Sequence, residues 1–178
     1  MVEACLELRS SRLILRPFGA DDLTDTYVGW LNDPAVVRFS NQRFRRHDLA
    51  SCAEYLASFE GSGNLFVAVC RAADRAVIGT MTARRSRHHG TADVGILIGE
   101  RSVWGQGFGQ EAWNTLLGWL AISPGMRKLT CGMLDCNLAM RRLAERSEMA
   151  LEATRRSQEV VDGEPHDILY FARFTGGT

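Results

Sequence analysis

Charged and apolar residues alternate through RLILR (12–16), and Pro17 closes the run, so this segment reads as a strand. Asp21 and Asp22 then supply a helix start, with Leu23, Tyr27, Trp30 and Leu31 on one helical face. That helix should stop near Asn32-Asp33-Pro34, because the residue before proline avoids the α region. A second amphipathic helix is expected over 47–59, with Leu49, Cys52, Ala53, Leu56 and Phe59 turned inward. LFVAVC (65–70), AVIGTMTA (76–83) and ADVGILIG (92–99) follow, separated by Ala73-Asp74-Arg75 and by the polar SRHHG (86–90). These three read as an antiparallel meander. Next come a helix from about Gly107 to Ile122, a strand KLTCGML (128–134) and a helix over 137–149 capped by Asp135. EATRRSQEVV and DILYFARF form a last pair of strands joined through Asp162-Gly163. The order βααβββαβαββ combines a meander with strand–helix–strand units. It predicts a mixed α/β (α+β) domain: a central, mostly antiparallel sheet flanked by about four helices.

A chain of 178 residues suits one domain, expected to span 1–178. Its formal net charge of zero gives no global pull toward nucleic acid or an anionic membrane. Cys5, Cys52, Cys70, Cys131 and Cys136 are odd in number and contain no CxxC pair, which argues for free thiols and against a disulfide framework or a zinc site. No run approaches the roughly 18 apolar residues of a membrane span, and the N-terminus lacks an apolar signal region. The expected setting is the cytoplasm. The Gly-rich tail FTGGT is expected to fray.

The stretch RSVWGQGFGQEAW (101–113) sets Gly105, Gly107 and Gly109 at the mouth of a helix. Glycine there weakens the helix it opens, so it must serve a tight turn, an exposed row of backbone N–H groups, or both. A P-loop would need GxxxxGK[ST], and no Lys-Ser/Thr follows. A dinucleotide site would need GxGxxG, and the flanking strands read as antiparallel.

VGILIGERSVWGQGFGQEAW, followed after a strand by DCNLAMRRLAERSEM, resembles the GNAT superfamily of acyl-CoA-dependent N-acetyltransferases. WLNDPAVVRF (30–39) is similar to a segment of the branch that acetylates ribosomal-protein N-termini and bacterial amino sugars. The resemblance covers roughly residues 12–174 and implies the GNAT fold with acetyl-CoA as co-substrate and no metal. It implies that Trp104, Gly105, Gln106, Gly107, Phe108 and Gly109 carry the pyrophosphate motif, with the amides of Gln106 to Gln110 as donors. Trp104 stands where the wider family has Gln or Arg. Ile96, Leu97 and Ile98 would pair with pantetheine through their backbone, and Asn137 would touch the CoA arm or cap its helix. Asp93 takes the position of a catalytic base, acting through water because aspartate is short, with Glu100, His88 and His89 as fallbacks. Met140 replaces a proton-donating hydroxyl residue, and Glu148-Met149 replaces Gly-Phe, which implies a changed turn.

The acceptor side would be built from the first two helices and their loop. SNQRFRRHD (40–48) gathers Arg43, Arg45, Arg46 and His47 around Phe44, a local basic patch that invites an anionic partner or is simply solvated. The implied reaction is direct acetyl transfer to a primary amine, either of a small molecule such as a nucleotide-linked amino sugar or of a peptide N-terminus. The alternative is a degenerate module of the same fold that binds acyl-CoA or a partner without turnover. Homodimer formation is left open, and no nucleic acid or membrane partner is expected.

Overall fold

The computed structural model describes residues 6–176. Its elements run β1 (Leu8–Arg9), β2 (Leu13–Pro17), α1 (Asp25–Asn32), α2 (Pro34–Val37), α3 (Leu49–Ala57), β3 (Leu65–Arg71), β4 (Val77–Ser86) and β5 (Thr91–Ile98). After these come α4 (Phe108–Ala121), β6 (Lys128–Leu134), α5 (Leu138–Arg146), β7 (Ala150–Val161) and β8 (Glu164–Phe174). The eight strands form one sheet in the order β1-β2-β3-β4-β5-β6-β8-β7. Neighbours are antiparallel except β5 and β6, which run parallel. This is the expected mixed sheet, with β1 and α2 added to the expected order.

Each face of the sheet has its own core. Trp113, Leu116, Leu117 and Leu120 of α4 pack with Leu13, Leu15, Val67, Val69 and Leu129 on one face. Tyr27, Trp30 and Leu31 of α1 and Cys52 of α3 pack with Phe18, Phe66, Ala68 and Cys70 on the other. β3 is covered on both sides, so Leu65 to Cys70 are all buried and the strand shows an unbroken apolar run. A Leu or Phe side chain buried this way contributes about 1.5–3 kcal/mol.

Several helix ends differ from expectation. Asp21 and Asp22 lie in a 3-10 turn, and α1 is capped by Thr24, whose hydroxyl accepts from the Tyr27 amide at 3.3 Å. Asp22 instead receives both Nη atoms of Arg16 at 2.7 Å and the Gly19 amide at 2.8 Å, which ties β2 to the entry of α1. α3 begins after its cap Asp48; Leu49 and Ala53 face solvent while Tyr55 packs inward against Phe66. α5 is capped by Asn137, not Asp135. Near the C-terminus, Thr175 is held by its amide to the Arg127 carbonyl at 3.0 Å, so order extends into the segment expected to fray, and Gly177 and Thr178 lie outside the described residues. Cys52, Cys70, Cys131 and Cys136 are free thiols, and Cys5 lies outside the described residues. Among the described residues no helix is long and apolar enough to cross a membrane.

Candidate active site

β5 and β6 share a ladder only from Thr91↔Lys128 to Asp93↔Thr130. Beyond that pair, residues 94–98 of β5 stay bonded to β4 alone and 131–134 of β6 to β8 alone. The sheet therefore opens as a wedge toward the C-terminal ends of its two parallel strands. Such an opening in an α/β sheet is a natural place for a ligand. The Gly-rich turn follows β5 at the mouth of the wedge, and Asn137 follows β6.

The turn is set by glycine geometry at two positions. Gly105 and Gly107 adopt φ of +75° and +82°, a left-handed backbone that side chains resist. Gly107 is the N-cap of α4 and supplies no side-chain acceptor to its amides. Among the described residues, the N–H groups of Gly107, Phe108, Gly109 and Gln110 have no acceptor. The Gln106 amide, expected to be a fifth donor, is already directed to the Val103 carbonyl at 3.4 Å. Four free amides at the positive end of a 14-residue helix have the donors and the dipole that suit an anion.

Arg12 braces this turn and was missed in the sequence, where it merely opens the alternation of β2. Its Nη1 donates to the Gln106 carbonyl at 3.0 Å, its Nε donates to Glu111 at 2.7 Å, and its guanidinium lies 4.2 Å from the Phe108 ring centroid. Burial alone would raise the Glu111 carboxyl, but hydrogen bonds from Ser10 and Arg12 outweigh it and hold it below its usual range. Trp104 folds back along the turn while its ring stays exposed: its Nε1 donates to the Ile98 carbonyl at 2.9 Å. It thus fastens the turn to the end of β5 and occupies one backbone acceptor there. Ile96 and Ile98 pack toward α4, while Leu97 packs toward the aromatic core on the opposite face. The Gln110 side chain spans to Ser147 at 2.8 Å, linking α4 to the end of α5.

Asp93 sits where the wedge closes. It opposes Arg84 on β4 and accepts from the Thr130 hydroxyl at 2.8 Å. Burial pushes its carboxyl above the ordinary aspartate value, with Thr130 and Arg84 pulling the other way. Burial, with the charge of Asp93, also pushes the Cys131 thiol up to about 12, so that thiol stays protonated. The fallback Glu100 is instead a cap for the turn, accepting from Ser102, and His88 and His89 lie in the β4–β5 turn.

On the β6 side, Asn137 Oδ1 accepts from the Met140 amide at 3.2 Å, so it caps α5. Met140 packs against the core beneath α4 and offers no proton. Glu148 adopts φ +60°, and the Met149 amide reaches the Ala144 carbonyl at 3.1 Å. The expected change of turn is thus absent: a left-handed helix end of the kind that favours glycine is kept, with glutamate bearing the strain.

A cavity of about 220 Å³ adjoins β6 and β8, lined by Phe39, Asn41, Gly132, Glu159 and Tyr170 among others. Tyr170 lies over Gly132, and its hydroxyl has no hydrogen-bond partner among the described residues. Asp135, Cys136 and His166 also meet, with ligand atoms within 4.8 Å of one another. His166 Nδ1 lies 2.7 Å from Asp135 Oδ1. The sequence showed no metal-ligand spacing because His166 reaches this group only through the pairing of β8 with β6.

Residues 12–150 match the acetyltransferase (GNAT) domain family, and the chain belongs to that family. It is an acetyltransferase. Its fold agrees with solved structures at low identity. A GNAT-family acetyltransferase from Bacillus anthracis superposes with a TM-score of 0.81 at 15% identity, covering 96% of this chain and 99% of that one. RimL, a ribosomal L7/L12 alpha-N-protein acetyltransferase solved with coenzyme A, gives 0.82 at 16% identity, covering 95% and 98%. A spermidine N-acetyltransferase from Vibrio cholerae, solved with CoA and spermine, gives 0.81 at 17% identity, covering 93% and 97%. No curated protein sequence matches the chain.

Proposed function

We propose that the chain, as a single domain over 1–178, is an acetyl-CoA-dependent N-acetyltransferase that passes acetyl directly to a primary amine of a small molecule or a protein N-terminus. The observation that carries this reading is the row of free amides from Gly107 to Gln110 beside the wedge between β5 and β6. The coenzyme A complexes of RimL and the Vibrio cholerae enzyme support the choice of co-substrate. Acetyl-CoA, when bound, supplies an activated acetyl thioester.

The amides at the start of α4 would hold its pyrophosphate, with Arg12 adding positive charge near Gly107. The unpaired edge of β5 at Ile96 and Leu97 would bind the pantetheine arm by main-chain hydrogen bonds, and Asn137 would border it from the β6 side. Asp93 takes the proton that the incoming ammonium must lose, directly or through one water. Its raised pKa strengthens it as a base at neutral pH. A free β5 amide offers a donor to the attacked carbonyl oxygen. Met140 leaves the departing thiolate to be protonated from solvent.

The test is a panel of primary amines, including spermidine and peptide N-termini, assayed for thiol release. An Asp93→Asn variant should lose about 10²–10⁴ in kcat while still binding acetyl-CoA. Unchanged kcat in that variant would remove Asp93 from the mechanism. No thiol release from any amine by protein that binds acetyl-CoA would overturn amine transfer.

A further inference from the structure

A second cavity, about 500 Å³, lies between α1, α2, the loop that follows them and the β7–β8 turn. Arg38, Arg43, Arg45 and Arg46 line it, with Asp162 as the one carboxylate and Pro34 and Val37 as apolar wall. We propose that this cavity binds the phosphate group of a phosphorylated amine acceptor. The proposal rests on amine acetylation as the reaction and names the class of acceptor.

Charge does not balance in this concavity. Arg38 pairs with Asp162 at 3.0 Å, which uses the carboxylate. Arg43 reaches Glu159 at 3.8 Å and the Val160 carbonyl at 3.1 Å, yet its Nη1 is shut from solvent with no hydrogen-bond partner. Arg45 and Arg46 have no carboxylate partner among the described residues. Arg45 and Arg46 therefore bring uncompensated positive charge to the cavity wall, and an oxyanion bound there would neutralise it.

Side-chain hydrogen bonds fix the backbone of the loop that carries these arginines. Asn32 Nδ2 donates to the His47 carbonyl at 2.9 Å, and Asn32 Oδ1 accepts the His47 amide at 2.9 Å. Ser40 caps the turn that carries Arg43, accepting from the Gln42 amide at 3.3 Å. Guanidinium forks match the geometry of phosphate oxygens, and several converging on one concavity favour a multiply charged group over a single carboxylate. The volume also lies within the range of small-molecule sites, about 300–1,000 Å³.

A chain of neighbouring residues links the cavity to the transfer site. Arg43 joins it to Glu159, which lines the smaller cavity with Gly132 and Tyr170. Gly132 is two residues along β6 from Thr130, the hydrogen-bond partner of Asp93. An acceptor could hold its phosphate on the arginines and direct its amine through the smaller cavity toward Asp93.

The test begins with coenzyme A titrated alone, because failure of that binding strikes the transfer reading and not the arginine cavity. Inorganic pyrophosphate is then titrated into wild-type protein and an Arg45→Ala/Arg46→Ala variant, with and without saturating coenzyme A, which blocks the amides of α4. The result expected is binding in the presence of coenzyme A that weakens about tenfold or more in the variant and with added salt. Equal affinity in the two proteins, or no binding to the wild type, overturns the proposal. A second arm compares glucosamine with glucosamine 6-phosphate, and ethanolamine with phosphoethanolamine, as acceptors. A preference for the phosphorylated members that collapses in the variant is the expected outcome. Pyrophosphate binding without that preference indicates a site for a free anion and overturns the assignment to the acceptor.

Discussion

Glu148 should be replaceable by glycine with a gain in stability. It sits at the end of α5 with φ +60°, is exposed, and makes no side-chain hydrogen bond or ion pair among the described residues. Its side chain can therefore be removed with little loss of contact. A β-carbon in the left-handed region costs about 1–2 kcal/mol. Glycine removes that cost but frees the unfolded chain, which takes back about 0.4–1 kcal/mol. The net expectation for Glu148→Gly is a gain of about 0.5–1 kcal/mol. For a domain of this size that raises Tm by about 1–4 °C. Glu148→Ala keeps the strained β-carbon and should stay within about 0.5 kcal/mol of the wild type. Urea and thermal unfolding followed by circular dichroism, with all three proteins in one buffer, would read the difference. A glycine variant no more stable than the alanine variant would refute the reasoning, because the two differ in the β-carbon said to be strained.

Asp93 should set the acid limb of the pH–rate profile. Its carboxyl must be ionised to accept a proton, so kcat/KM falls as pH drops through a pKa raised by burial above the ordinary aspartate value. The same shift predicts a stability effect of opposite sense. A carboxyl whose folded pKa is raised destabilises the fold fully above that pKa, and the penalty fades as pH falls from there to the lower unfolded value. Asp93→Asn should therefore unfold at a higher temperature than wild type at pH 7–8, and the difference should shrink as the buffer is made acidic. Asp22→Ala should cost about 3 kcal/mol in urea unfolding, since it strips a buried partner from Arg16 and from the Gly19 amide; a loss below 1 kcal/mol would mean that solvent replaces the pair. Gly99→Ala would drive a β-carbon into the Trp30 ring. It should destabilise the fold by about 1–3 kcal/mol, alter tryptophan fluorescence and weaken acetyl-CoA binding, because Gly99 leads into the turn.

The regular elements were legible because burial imposes a period. β3 reads as an unbroken apolar run because both its faces are covered, and α4 as a stripe because only one of its faces is buried. Elements too short to carry a period, β1 with two residues and α2 with four, left no signal. Helix caps were harder, since acidic residues have competing partners. Asp22 is drawn to Arg16 six residues earlier at the end of β2, and Asp135 to His166 on β8, so neither caps the helix that local sequence suggested. The Gly-rich turn could be located from sequence because glycine spacing is local. The wedge beside it could not, since the end of the β5–β6 ladder at Asp93 and Thr130 is a matter of tertiary register. Arg12 was hidden for a similar reason: its partners Gln106 and Glu111 lie more than ninety residues away. The basic loop was visible as a run of charge, but its enclosure of a cavity depends on the β7–β8 turn packing against it.

The central claim is that the free amides at the start of α4 and the wedge beside them form a cofactor site. Calorimetric titration of acetyl-CoA into wild-type protein and a Gly109→Trp variant tests it most directly. Gly109 lies inside α4 with no positive φ, and a β-carbon there would stand 3.6 Å from Ile98 at the wedge, so bulk at this position obstructs the site without forcing a left-handed side chain. The account predicts a dissociation constant of about micromolar order for the wild type, and no detectable binding by a variant whose circular dichroism is unchanged. Equal binding by the variant, or no binding by folded wild-type protein up to about millimolar ligand, would contradict it.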